Sequence, residues 1–166
     1  KASGFCLKDI EVDKAYAVLD YEALRVFYGG SNPEDFEDVE KAGSTKAKES
    51  VKVIEGLAQL RPSVEAGFHS ILKTFVLHTH SVYANLAACA VNCRELCEAA
   101  FAGADYSWGM VPYVDPGANL TFAIRDELRR VEKETGKVPA VILMQNHGII
   151  AHDDDPVHRA VQNIFH

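Results

Sequence analysis

Two apolar runs that each lead to histidine constrain this chain more than any other feature. Thr74-Phe75-Val76-Leu77 runs into His78 and His80, and the run Ala140 to Met144 leads to His147 and Gly148. In an extended strand, residues i and i+2 share a face, so His78 and His80 offer two imidazoles to one side, a spacing that can chelate a single ion. A second strand that delivers His147, with Gly148 letting the backbone turn beside it, supplies the third nitrogen of a catalytic zinc site. Three neutral imidazoles leave a coordination position open for substrate. The same spacing is also that of two partly exposed strand histidines holding nothing.

The segment 61–72, Arg61 to Leu72, places Val64, Phe68, Ile71 and Leu72 at helical spacing, with Pro62 and Ser63 as its start. Glu65 then falls near the first turn of a helix that leads into the histidine strand. A carboxylate so placed suits acid/base work beside an ion, and it equally suits the positive end of a helix dipole.

Four stretches in order carry a resemblance: Ser63-x-Glu65-x-x-Phe68-His69, His78-Thr79-His80-Ser81, Tyr113-Val114-Asp115-Pro116-Gly117 and Gln145-Asn146-His147-Gly148-Ile149-Ile150. Together they resemble the class II aldolase/adducin family, which includes the fuculose-phosphate and rhamnulose-phosphate aldolases. The similarity covers nearly the whole chain, and the short form around Glu65 is most similar to aldolase-like domains fused to a short-chain dehydrogenase. It implies a three-layer α/β/α sandwich with a mixed, largely antiparallel central sheet. His78, His80 and His147 become the metal ligands and Glu65 the catalytic acid/base. The implied cofactor is a divalent metal, Zn²⁺ first, with Mn²⁺, Co²⁺ or Fe²⁺ as alternatives. The implied reaction is aldol cleavage of a keto sugar, keto sugar phosphate or related hydroxy-carbonyl compound through a metal-stabilised enediolate. Epimerisation, dehydration and decarboxylation are the family's other reactions, and the adducin-like members are non-catalytic interaction domains that lack the ligand set. A structural zinc domain would require a fourth protein ligand. Family members are typically homotetramers, so a homo-oligomer is the expectation.

Three departures bear on substrate. The chain opens at Lys1-Ala2-Ser3-Gly4 without the upstream Gly-Asn loop that completes the family's phosphate pocket, and so reads as trimmed at its N-terminus. Val64 stands where the fuculose-phosphate enzyme has a second serine, and the spacer from Glu65 to His78 is shorter. Phosphate binding would rest on Ser3, Gly4 and Ser63, with Arg61 the one cation near that helix start. A weak dependence on substrate phosphate follows.

At 166 residues and 48% hydrophobic content the chain is long enough for one domain with a proper core, spanning residues 1–166. A net charge of -7 without a basic stripe argues against nucleic acid as a partner and leaves a small carbohydrate-like molecule. No apolar stretch approaches the roughly 20 residues of a membrane span, and no signal peptide is visible, so the cytoplasm is the expected compartment. The unpatterned cysteines read as reduced thiols. Cys89, Cys93 and Cys97 fall at i, i+4 and i+8 on one long helix expected over 82–102, which makes them a packed stripe.

Elsewhere the pattern predicts a strand over 16–20, a helix over 21–28 closed by Gly29-Gly30, and a surface loop with part of a helix over 31–50. A strand at 109–114, a turn at Asp115-Pro116-Gly117, and a helix over 119–135 stopped by Gly136 follow. Two strands with a break at 145–148 and a last helix over 155–166 complete it. His152, beside three aspartates, reads as part of a solvated helix start, His69 as a packed residue or an orienter of Glu65, and Trp108 and Tyr113 as core or pocket wall.

Overall fold

The computed structural model describes residues 1–11 and 13–155. The chain clusters into two compact units: Lys1–Ile71 with Asp115–Phe122, and Leu72–Val114 with the chain from Ala123 onward. The expected last helix lies outside the described residues from 156.

The first unit is helical. Asp20 caps α1 (Tyr21–Gly30) by accepting from the Ala23 N–H at 3.1 Å, and Asp38 caps α2 (Val39–Glu49) by accepting from Lys41 at 2.9 Å. Leu24, Tyr28, Ala47, Ala118 and Phe122 form the core here, with the Tyr28 and Phe122 rings edge-to-face at 5.1 Å. The surface loop with part of a helix expected over 31–50 holds an 11-residue helix, longer than its polar sequence suggests. Its buried face is Gly43 and Ala47, residues too small to register as an apolar stripe; a Cβ on Gly43 would meet Ala118 Cβ at 2.5 Å. Among the described residues the expected strand over 16–20 shrinks to one bridge, Leu19 with Val51, flanked by the bonds Asp20 N–H to Ser50 and Lys52 N–H to Val18. The helix expected from Pro62 begins four residues later, as α3 (Ala66–Ile71). Ser63 Oγ accepts from the Glu65 N–H at 3.3 Å, which makes 63–65 a turn ahead of the helix.

The second unit carries the sheet. Its strands are β1 (Phe75–Thr79), β2 (Trp108–Val111), β3 (Val141–Met144) and β4 (Gly148–Asp153), in the order β1-β4-β3-β2 among the described residues. β1 with β4 and β4 with β3 are antiparallel, whereas β2 with β3 is parallel, so the sheet is mixed and largely antiparallel, as expected. All four residues of β3 are buried, in keeping with a central strand. The open edge at β2 is blocked by Glu127, whose Oε1 accepts from the Met110 N–H at 2.8 Å. Glu127 sits on α6 (Ala118–Thr135), which Gly136 closes at φ 71°, donating its N–H to Glu132 at 2.8 Å.

The single cysteine helix expected over 82–102 is two helices, α4 (Val82–Ala88) and α5 (Cys93–Phe101). The backbone tightens at the break, with bonds from Ala90 to Ala87 and Cys93 to Ala90, and the Ala88 carbonyl is taken by the Asn146 N–H at 3.1 Å. Cys93 and Cys97 are buried with Ala88, Met110 and Leu143, but Cys89 caps α4 in solvent, so the stripe is two residues and not three. His152 is the other correction. It lies on β4, opposite Val76, and is 1% exposed. β4 runs past Ala151, and its alternation turns that ring inward. Among the described residues no helix is long and apolar enough to cross a membrane.

Candidate metal centre

His78 is the fourth residue of β1 and His80 the first beyond its end, so the two keep the i, i+2 relation of a strand. β4 lies beside β1 with His78 opposite Ile150 and Thr79 opposite Ile149, which brings the turn before β4 to the same place. That turn is the β3–β4 hairpin, Gln145 to His147, with Asn146 at φ 54°. It delivers the His147 ring. The three ring centroids stand 4.9 Å (His78 to His80), 5.0 Å (His78 to His147) and 4.9 Å (His80 to His147) apart, at interplanar angles of 64°, 84° and 80°. One ligand nitrogen from each lies within 4.8 Å of the others.

Gly148 is required at this crossing for reasons of space. A Cβ there would sit 2.6 Å from the Thr79 carbonyl oxygen, 3.0 Å from His80 Cδ2 and 3.2 Å from His78 Cε1. Only glycine lets the hairpin close on the end of β1.

The hydrogen bonds select a tautomer. His78 Nδ1 lies 3.1 Å from the Ile149 carbonyl oxygen, which can only accept, so Nδ1 carries the proton and Nε2 keeps its lone pair. That arrangement is the one by which a backbone carbonyl orients a metal-binding histidine. His78 Nε2 in turn faces His80 Nε2 at 3.1 Å. Two nitrogens bound about 2.0–2.1 Å from a tetrahedral zinc ion stand about 3.3 Å apart, so the pair is close to the spacing that a shared ion needs. Half-buried His78 and His147 and exposed His80 leave the cluster open to solvent. The donor set fits a divalent ion.

The other expected residues divide. Glu65 is half-buried in the turn ahead of α3, in the first unit. Ser3 donates its N–H to the Arg61 carbonyl at 3.0 Å, and Gly4 follows at φ 87°. Ser63 lines a cleft with Arg61, Ser44, Lys48 and Tyr28, to which Ser3 and Gly4 do not contribute. Lys48 is the second cation that the linear sequence hid: it is 13 residues from Arg61 and reaches the cleft only because α2 is a helix. His69 is exposed and stacked on Phe68, with centroids at 4.7 Å. Trp108 stacks on Phe101 at 5.1 Å, which makes it part of the packing, and Tyr113 is exposed.

This fold and this cluster agree with what the chain is similar to. It matches the family described as Class II Aldolase and Adducin N-terminal domain over residues 22–166, and it belongs to that family. Among solved structures it resembles the N-terminal class II aldolase domain of a conserved protein from Thermoplasma acidophilum, at 19% identity and a TM-score of 0.69. The alignment covers 93% of this chain and 63% of that one, so the chain spans less than two thirds of the matched structure. No curated protein matches the chain.

Proposed function

We propose that this domain is a metal-dependent aldehyde-lyase of the class II aldolase type, acting on a keto sugar, its phosphate or a related hydroxy-carbonyl compound. The observation that carries the reading is the convergence of His78, His80 and His147, three open imidazoles delivered by two neighbouring strands. A divalent ion held there, zinc first, supplies a Lewis acid for the negative charge that develops on substrate oxygen when a carbon–carbon bond next to a carbonyl breaks. The chain's own groups do the rest. The Ile149 carbonyl holds the His78 ring in the tautomer that presents Nε2. Gly148 lets the third histidine approach the other two. Glu65 moves the proton that must leave the substrate hydroxyl in cleavage and return to carbon afterwards. The cleft at Arg61, Lys48 and Ser63 offers positive charge and a hydroxyl to an anionic group. A cytoplasmic homo-oligomer with a small-molecule substrate belongs to the same reading.

The test is cleavage of a panel of ketoses and ketose 1-phosphates by wild type and Glu65→Gln, each as purified, after chelation and after reloading with zinc. Metal-dependent release of aldehyde is expected, with Glu65→Gln binding zinc normally and turning over roughly 2 to 4 orders of magnitude more slowly. Loss of zinc from Glu65→Gln would make Glu65 a ligand. Cleavage that survives chelation, or none on any carbonyl substrate with zinc bound, contradicts the lyase reading.

A further inference from the structure

Asn85, on the exposed-to-buried flank of α4, is tied to the histidine cluster by a bond that nothing in its sequence neighbourhood announces. Its Nδ2 donates to the His147 carbonyl at 3.3 Å. One turn on, the Ala88 carbonyl accepts from the Asn146 N–H at 3.1 Å. The hairpin turn that carries His147 is thus held at two successive residues by the helix that starts two residues after His80. The orientation of the amide is settled by this contact, because the reverse assignment would set two oxygens against each other. Asn85 Oδ1 therefore points away from the His147 carbonyl, and it is buried with no hydrogen-bond partner among the described residues. Buried acceptors are rarely left so. Next to the turn that carries His147, the donor that such an oxygen would take is the ring N–H of a histidine whose other nitrogen holds the ion.

Resting on the metal reading above, we infer that Asn85 is a positioning residue of the metal centre: its Nδ2 sets the His147 turn, and its Oδ1 accepts a hydrogen bond from the loaded site. Replacing Asn85 with leucine, a better helix former of similar size, removes the Nδ2 bond to the His147 carbonyl and should weaken the ion by more than it destabilises the metal-free protein.

Zinc is titrated into chelated wild type, Asn85→Leu and Asn85→Ala, with urea unfolding of each metal-free protein alongside. The expected result is a 10- to 100-fold loss of zinc affinity in both variants, with the metal-free Asn85→Leu protein losing clearly less unfolding free energy than its binding free energy falls. The visible spectrum of the cobalt-loaded variants should shift from that of wild type, because the His147 nitrogen is no longer held in place. Zinc bound by both variants as tightly as by wild type overturns the role of Asn85. So does a metal-free Asn85→Leu destabilised as much as its affinity falls, which would make the residue a packing element; if that variant does not fold, the Asn85→Ala affinity decides alone. Wild type that binds no zinc overturns the metal reading itself, a separate failure.

Discussion

His152 shows how much one ring can be changed by a strand. Burial lowers its pKa to about 4 from an ordinary 6.5, an effect that the Pro139 backbone contact only partly offsets. Its Nδ1 accepts from the Lys73 N–H at 3.2 Å, a bond available only to the neutral ring. The consequence for stability has a definite sign. Above pH 6.5 both folded and unfolded states are neutral at this residue and stability is flat. As pH falls from 6.5 to 4 the unfolded chain takes a proton that the folded chain refuses, so stability drops, and below 4 the loss is complete. Between about pH 7.5 and pH 5 the chelated protein should lose about 2 kcal/mol of unfolding free energy from this group, readable in urea. His152→Leu should lack that part of the slope, and an unchanged slope would show that the ring titrates normally. Nothing in the linear pattern marks this residue. Three aspartates after it suggest solvent, and only its place on β4, one beyond Ala151, reveals the inward face. Asn85 was hidden for a different reason, since its partner is 62 residues away and lies in a turn. The three histidines and Gly148 were readable because strand periodicity alone puts two rings on one face and a glycine beside the third.

At the level of elements, the regular pieces with large apolar side chains were readable, and those built on small ones were not. α6 carries Leu120, Ile124 and Val131 on its buried face and ends at a glycine, and so lies within one residue of its expected span. α2 buries Gly43 and Ala47, which carry no helical apolar signal, and its outer face reads as acidic loop. That helix, expected only in part, does more than fill space. Glu40, in its first turn, accepts from the Ala118 N–H at 2.8 Å and from the Asn119 N–H and Nδ2 at 2.9 Å each, so it caps the start of α6 from outside that helix. A carboxylate at a helix N-terminus satisfies donors that have no partner within the helix and faces its positive end. Glu40→Ala should lower stability by about 1 kcal/mol, with Glu40→Gln losing less because one acceptor oxygen remains. A urea midpoint unchanged in Glu40→Ala would show that the cap contributes nothing. The split of the cysteine helix has the same lesson in reverse. Spacing predicted one continuous stripe, whereas the hairpin turn takes the Ala88 carbonyl and lets the chain turn before Cys93.

For the molecule as a whole, the class of fold was readable from four ordered stretches, and the candidate metal cluster from the histidines within them. The mixed sheet and the family both follow that reading. What a linear chain conceals is mostly a matter of long-range placement: Lys48 beside Arg61 and Ser63, Glu40 on α6, the α4 helix against the hairpin. The three histidines that could hold an ion are brought together by the sheet itself, at the end of β1 and in the β3–β4 turn. The account stands or falls on whether an ion is held by those ligands, and X-ray absorption at the zinc edge of the reloaded protein measures this directly. The account predicts three imidazole nitrogens at about 2.0–2.1 Å, completed by oxygen, with no sulfur, and loss of imidazole scattering in His147→Ala. A sulfur shell at about 2.3 Å would place the ion on the cysteines and contradict the account.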